Sequence, residues 1–575
     1  MSIINYLNKK LKNSLDLLGY DEGEATFQHS LRPDLGDFQT NCAMLLAKKL
    51  KQPPLEVAKD IIKQLENDNS EEFEFIRFDM PGFINVKLKD EFLFSILNEM
   101  VNDEKCCLER NGNAKTVVID FGGYNIAKEL HVGHLRSTVI GESIRRIYTF
   151  IGDKVIGDVH LGDWGLNMGM AIQGIKLRYP HSKCFQNDFR EEKIDDINLT
   201  STELTECYKM ANAKAKDDSA FAEEAHLTTK KLQDGYKPYR VLWQYFTGIC
   251  IKDLKNLAVD ILGAYFDLWD GESSVHDVIV QIIRNLLRTN QIKISDGAKI
   301  IDLSEYDNLP PVILEKSDGA VMYASSDIAT VLTRIQKYNP DLILYVVDYR
   351  QTLHLKQVFA ACKKIGILNE KTKLIHCPFG TVNGKDGKPY KTRSGDSIKL
   401  RFLIEEVIEK IAEKSSVKDK KTLQNIAVAC IKFADLINYR ESNYIFDIEQ
   451  FTNYEGKTGA YLLYGLVRIN SILDNQEKFD YKITEFRTDE ERELMIDFLK
   501  FDVIFSIAYL KQTPNVIAEY VFNLVKKFSS FYVKCPINSE NNVEYKKSKL
   551  SLLYLTKKMI EVCLYLLGIE TVEKM

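Results

Sequence analysis

The chain has 575 residues, more than one hydrophobic core usually organises, and about three or four structural units of roughly 100 to 200 residues are expected. Hydrophobic residues make up 45% and charged residues 28%, an ordinary globular balance that excludes a largely disordered chain. No apolar run reaches the roughly 18 residues that span a membrane, and a formal net charge of -5 gives no global attraction to nucleic acid, so any RNA contact must rest on local basic surface.

From the N-terminus, Ile3, Ile4, Leu7, Leu11, Leu15 and Leu18 recur at helical spacing and predict a packed amphipathic helix; a transit peptide is the alternative, because acidic residues are absent before Asp16. Helical stretches over 41–50 and 55–65 and strand-like runs over 73–78 and 83–88 make residues 1–110 a small α+β unit. A polar linker over 103–115 contains Asn111-Gly112-Asn113. Val117 to Phe121 then reads as a strand, followed by a Gly-containing loop, an amphipathic stretch from Gly133 to Ile151 and a second strand over 155–159, the pattern of a parallel α/β sheet. Residues from about 178 to 260 are helical and charge-rich, as an insertion between two halves of a sheet would be. Leu342 to Val347 is an apolar run of the kind buried on both faces of a doubly wound sheet. From Leu403 onward the spacing is helical, with a polar break at 536–545. The fold class is therefore multidomain α/β plus α, divided at 1–110, 111–400 and 401–575, the last all-helical. Eleven cysteines, of which only Cys106 and Cys107 are adjacent and none forms C-x-x-C, suggest neither a zinc site nor a disulfide framework and fit a reducing, cytoplasmic compartment.

The chemistry concentrates where the first strand of that sheet gives way to a helix. His131 and His134 are three positions apart at a helix N-terminus, a natural anion site. Gly133 between them lets a base or ribose approach the backbone, and Lys128 adds a cation. Such groups could stabilise charge on an α-phosphate during in-line attack by a carboxylate. Alternatives are an ordinary helix start and a metal site; the H-E-x-x-H spacing and an obvious third ligand are both absent.

The segment Asp120-Phe121-Gly122-Gly123-Tyr124-Asn125-Ile126-Ala127-Lys128-Glu129-Leu130-His131-Val132-Gly133-His134-Leu135-Arg136-Ser137 resembles the arginyl-tRNA synthetase form of the class I synthetase signature, as does His160-Leu161-Gly162-Asp163-Trp164-Gly165. The resemblance implies a Rossmann-like catalytic domain over 111–400, ATP-dependent formation of arginyl-adenylate, and transfer to the tRNA 3' end. It also implies an additional N-terminal tRNA-binding domain and a C-terminal helical stem with an anticodon-binding domain. The partners implied are ATP, L-arginine and tRNA(Arg), with Mg2+ arriving on ATP, no tightly bound cofactor, no protein metal site, no membrane and a monomeric enzyme.

A guanidinium is a planar donor fork, so a site selective for arginine needs carboxylates or carbonyls that accept parallel hydrogen bonds. Lys316 to Ala329 resembles the family's second signature and nominates Tyr323 and Asp327, and Val347 to His354 resembles the segment that supplies a glutamine, here Gln351. Asp120 and Asn125 complete the expected arginine pocket. Taken singly, Asp327 could instead cap a helix and Tyr323 could be a half-buried strand residue. Asp348 and His354 join His131, Gly133 and His134 as expected ATP contacts. The late Lys-Met-Ser-Lys loop of class I synthetases corresponds to Tyr390-Lys391-Thr392-Arg393-Ser394-Gly395, where serine replaces the second lysine. Lys128 is expected to take over that cation's role, assisted by Lys391 and Arg393, with glycines at 384, 387 and 395 allowing closure.

At the C-terminus, Asn453 to Tyr464 with Arg468 resembles the opening of the family's anticodon-binding domain, nominating Tyr461 and Tyr464 for base stacking, and Met575 as the last residue near the anticodon. Residues 511–575 hold 10 lysines against 6 glutamates, a modest local basic excess. Ordinary helical packing is the alternative for the tyrosines, and a solvated face for the lysines. Leu35 to Asn41 resembles part of the extra N-terminal domain, nominating Phe38 and Gln39 as tRNA contacts. Rival functions are another class I synthetase, a general nucleotidyltransferase, and a non-catalytic tRNA-binding scaffold derived from a synthetase.

Overall fold

The computed structural model describes every residue except Met1, 21–24, 68–70, Asn111, 187–188, Asp318, Ala320 and 388–397. The chain divides into two compact units, one built from 1–113 with 454–566 and 570–575, the other from 114–453 with 567–569.

The first unit pairs the chain's beginning with its end. Helix Ile3–Leu18 forms where the sequence predicts it; it buries Ile3, Leu7, Leu11 and Leu15 on one face and stops at Gly19 in the left-handed conformation. An antiparallel four-stranded sheet runs in the order Gln28–His29, Phe38–Thr40, Phe83–Leu88, Phe73–Asp79. Gln28–His29 and Phe38–Thr40, of two and three residues, are too short to show alternation in the sequence. The C-terminal helices of this unit are Gly459–Asp474, Asp489–Phe498, Phe501–Lys511, Asn515–Lys534 and Val543–Leu566; the polar break expected over 536–545 separates the last two but ends earlier, at the start of the last helix.

The second unit is organised by a parallel sheet in the order Lys373–His376, Leu342–Tyr345, Thr116–Asp120, Lys154–Asp158. From Thr116–Asp120 the chain adds one strand on one side, then crosses to the other, so the switch point lies between Thr116–Asp120 and Leu342–Tyr345. Ligands of such sheets bind beyond the carboxyl ends of the strands at that crevice. Helix Val132–Phe150 follows the central strand and packs closely because residue 141 is glycine: a Cβ there would lie 2.3 Å from Cγ of the buried Phe121. The stretch 178–260 is helical as predicted, with Ser201–Asp217, Ser219–Gln233 and Lys237–Lys255, preceded by helix Leu166–Arg178.

A three-stranded antiparallel sheet, Lys293–Ser295, Ala298–Ile301 and Val312–Glu315, was not anticipated. Helices Leu400–Lys414 and Lys420–Leu436, expected among the C-terminal helices, lie in this unit against Val132–Phe150. The physical reason is a fully buried ion pair, Arg136 Nε to Asp435 Oδ2 at 3.0 Å, with Tyr444 donating to the same oxygen at 3.0 Å. Among the described residues no helix is long and apolar enough to cross a membrane.

Candidate active site

At the crevice, His131 is the N-cap of helix Val132–Phe150 and the two imidazoles build its capping box. Nδ1 of His131 accepts from the Gly133 amide at 3.0 Å, and Nδ1 of His134 accepts from the His131 amide at 3.2 Å. With both Nδ1 atoms used as acceptors, each neutral ring carries its proton on Nε2 and is a hydrogen-bond donor to a ligand. Gly133 is required by this arrangement, since a Cβ would meet His131 Cε1 at 2.7 Å. Burial, then Lys128 and Arg350, lowers the His131 pKa; burial, then His131 and Lys128, drops His134 to about 3. The pair is therefore neutral at physiological pH, and the positive charge comes from Lys128, Arg350 and the helix N-terminus.

The segment beyond the late loop is tied to the same place. Val132 N donates to the Ile398 carbonyl at 3.2 Å, Leu400 N to the Leu130 carbonyl at 2.9 Å, and Lys399 pairs with Glu129 at 2.6 Å. Lys391 and Arg393 themselves lie outside the described residues.

The same unit holds a cluster of carboxylates, Asp163, Glu272 and Asp327, of which Asp163 and Asp327 act electrostatically on Glu272. Asp163 accepts from Ser273 N at 2.9 Å and Ser273 Oγ at 2.6 Å, and its carboxylate fills the space a Cβ on Gly271 would need. Glu272 opens the short 3-10 turn Glu272–Val275. Burial pushes its carboxyl up to about 7, opposed by His160 and reinforced by Asp327 and Asp163. Asp327, in helix Tyr323–Tyr338, pairs with His354 Nε2 at 2.5 Å, which raises the His354 pKa. Tyr323 begins that helix, is 57% exposed, and brings its hydroxyl to 3.3 Å from where a Gly165 Cβ would stand. Carboxylates that repel one another in this way favour a proton or a cation at the site. Glu272 was missed from sequence, because an isolated acid in a loop carries no local pattern.

The remaining expected residues have these places. Asn125 forms a parallel bridge with Gly162, its Oδ1 occupying the space of an absent Gly162 Cβ. Asp120 is buried, and its Oδ2 is held by Arg334 at 2.6 Å, which also grips Asp158. Asp348 caps a 3-10 turn and holds Arg350 through contacts of 2.8 and 2.7 Å. Gln351 ends that turn, exposed at the crevice edge. His354, expected at ATP, pairs with Asp327.

In the other unit, Tyr464 is 40% exposed, with Arg468 donating to its hydroxyl at 2.7 Å and lying over its ring and that of Tyr532. Tyr461 is half-buried, its ring 5.8 Å from that of Phe522. Met575 is half-buried and Gln39 partly exposed. Phe38 requires a correction: it is fully buried and packs on His29 at 4.7 Å, because inward positions of that short strand form the sheet's core, so its ring is not offered to RNA.

A parallel sheet with a histidine-capped helix at its switch point and a helical insertion defines the catalytic unit of a class I aminoacyl-tRNA synthetase. The family described as "tRNA synthetases class I (R), catalytic domain" matches residues 95–448, "DALR anticodon binding domain" 462–575, and "Arginyl tRNA synthetase N terminal domain" 2–88. The arginine–tRNA ligases of Alkaliphilus oremlandii and of Francisella tularensis subsp. holarctica are each 41% identical to this chain, with 100% of both chains covered. Among solved structures, Plasmodium falciparum arginyl-tRNA synthetase superposes with a TM-score of 0.82 at 27% identity, over 100% of this chain and 99% of that one. The Thermus thermophilus arginyl-tRNA synthetase shares the fold with a TM-score of 0.80 at 21% identity, over 100% of both. The chain belongs to the arginyl-tRNA synthetase family of class I enzymes.

Proposed function

We propose that this enzyme activates L-arginine with ATP and transfers the arginyl group to the 3' end of tRNA(Arg). In the first step a carboxylate oxygen of arginine attacks the α-phosphorus of ATP and pyrophosphate leaves; in the second a terminal ribose hydroxyl of the tRNA attacks the carbonyl carbon and AMP leaves. The observation that carries this reading is the histidine-capped N-terminus of helix Val132–Phe150 at the switch point of the parallel sheet, with the mutually interacting carboxylates Asp163, Glu272 and Asp327 in the same unit. Asp327 and Glu272 accept from the guanidinium, Tyr323 closes over it, and Asn125 and Gln351 orient the α-amino and carboxylate groups. Asp120, bound to Arg334, shapes the floor of the pocket.

On the phosphate side, Nε2–H of His131 and of His134 donate to phosphate oxygens, with Gly133 giving access and Asp348 bordering the nucleotide. Lys128 supplies the cation missing from the late loop, with Lys391 and Arg393 assisting. Mg2+ enters with ATP. Residues 1–110 are assigned to tRNA contact through Gln39, 111–400 to catalysis, and 401–575 to the stem and to anticodon reading by Tyr461, Tyr464 and Met575. A monomer acting in the cytoplasm is the working form, in keeping with eleven free cysteines.

The test is ATP–pyrophosphate exchange with each amino acid in the presence and absence of tRNA. Of the amino acids only arginine should support it, with tRNA present, and Asp327→Ala should abolish it while the folded fraction stays intact. Normal exchange in that variant would overturn the pocket assignment.

A further inference from the structure

Lys128 is exposed, and among the described residues its ammonium has no carboxylate partner. It acts electrostatically on His131 and His134, and its Nζ lies 5.4 Å from the centroid of the Tyr208 ring. Tyr208 belongs to helix Ser201–Asp217 of the insertion, so the chain's proposed substitute for the missing loop lysine is approached from an element outside every signature segment.

That ring is held on several sides. Its hydroxyl donates to Asn167 Oδ1 at 2.9 Å, and its body packs against the small core of Met170, Ala211, Phe221 and Ala225. The helix that bears it is fixed to Leu166–Arg178 by close backbone approach: a Cβ on Gly174 would come 2.1 Å from the Cys207 carbonyl oxygen. Thr200 caps the helix, and Thr202 reaches Glu129, the residue after Lys128, at 3.4 Å. Tyr208 also acts electrostatically on Tyr323 of the amino-acid pocket.

We propose that Tyr208 is a positioning residue for the activation step: its fixed ring face holds the Lys128 ammonium at the phosphate site by a cation–π contact, so that the helical insertion completes the cation set of the degenerate late loop. The proposal rests on the reading of Lys128 given above. A ring face attracts an ammonium without neutralising it, whereas a carboxylate at the same place would remove the charge that the phosphates need. Holding a flexible four-carbon side chain in one place also spares the transition state the entropy of ordering it.

The test is tRNA-supported, arginine-dependent ATP–pyrophosphate exchange with Tyr208→Leu, Tyr208→Phe, Lys128→Ala and the double variant Lys128→Ala/Tyr208→Leu. Loss of the ring in Tyr208→Leu should lower kcat about tenfold, with KM for arginine within about twofold of the parent. Tyr208→Phe keeps the ring and should recover most of that rate, which a merely structural role for the hydroxyl would not allow. The double variant should be no slower than Lys128→Ala, because the ring acts only through the lysine. A parental kcat in Tyr208→Leu, equal losses in Tyr208→Leu and Tyr208→Phe, or additive losses in the double variant would each overturn the proposal. A parental kcat in Lys128→Ala would overturn the lysine's role itself and the proposal with it, an outcome distinct from a Tyr208 failure beside an impaired Lys128→Ala.

Discussion

At the scale of single residues, Glu272 and His134 titrate in opposite senses. Glu272 is raised from 4.5 to about 7, so its contribution to the stability of the ligand-free protein is present below about 4.5 and is lost as pH rises through about 7. His134 is lowered from 6.5 to about 3, so its contribution is present above 6.5 and is lost as pH falls toward about 3. A guanidinium binds the carboxylate form of Glu272, so below pH 7 arginine must displace a proton. Arginine affinity should therefore strengthen from pH 6 to pH 8, by at most roughly tenfold per unit at the acid end, with proton release. Calorimetry in two buffers of different ionisation enthalpy measures that release, and Glu272→Gln should abolish it. A proton count of zero in the parent protein would remove Glu272 from the guanidinium site. Lys128→Ala gives a second readout at this scale: kcat should fall far more than arginine KM rises, because the charge it would stabilise develops only in the transition state. A pure KM effect would contradict its role.

At the scale of elements, the helix that carries the histidines is held in place by what its buried face lacks and by one charge. Gly141 permits Phe121 to lie against it, and Gly141→Ala should force the two apart at a cost of about 1–3 kcal/mol, read as a lower urea midpoint for this unit. Arg136→Ala would leave Asp435 buried without its guanidinium, and about 3–5 kcal/mol is expected. An unchanged midpoint in either variant would mean that the helix is seated by other contacts. These elements also mark how far the sequence was legible. The strand from 116, the helix from 132 and the apolar run from 342 carry periodicities that survive in isolation, so three strands of the parallel sheet and the helix start at the histidines could be read directly, whereas the edge strand Lys373–His376, a run of four residues, could not. The antiparallel strands 293–315 mix charged and apolar residues and expose one edge, which leaves no clean alternation. Glu272 and Tyr208 reach the site only through contacts more than 70 residues from Lys128 and His131, and no local spacing encodes such proximity. Phe38 was misassigned for a related reason: a strand of three residues does not reveal which of its faces is inward.

At the scale of the whole molecule, residues 1–113 share one compact unit with 454–566, although several hundred residues separate them in sequence. The join is polar and specific. Arg492 reaches both oxygens of the buried Asp37 at 2.6 and 2.9 Å, Asp37 Oδ2 also accepts from Leu88 N, and Asn98 exchanges two hydrogen bonds with the backbone of Ile483. Lys558 donates to the carbonyls of Met100 and Val101. The N-terminal domain is therefore built into the helical domain rather than appended to it, and the two should unfold together. Arg492→Ala leaves a buried carboxylate with only one backbone donor, and about 3–5 kcal/mol of destabilisation is expected. Asp37→Ala with Arg492→Ala removes both charges and should cost less than the sum of the single variants, with a coupling of about 0.5–3 kcal/mol. Because the pair lies in the unit that carries Gln39, Tyr461 and Tyr464, the single variants should raise the KM for tRNA while leaving the KM for arginine within about twofold at saturating tRNA. Additive stability losses, or a rise confined to the arginine KM, would show that the two ends of the chain do not act as one RNA-binding body.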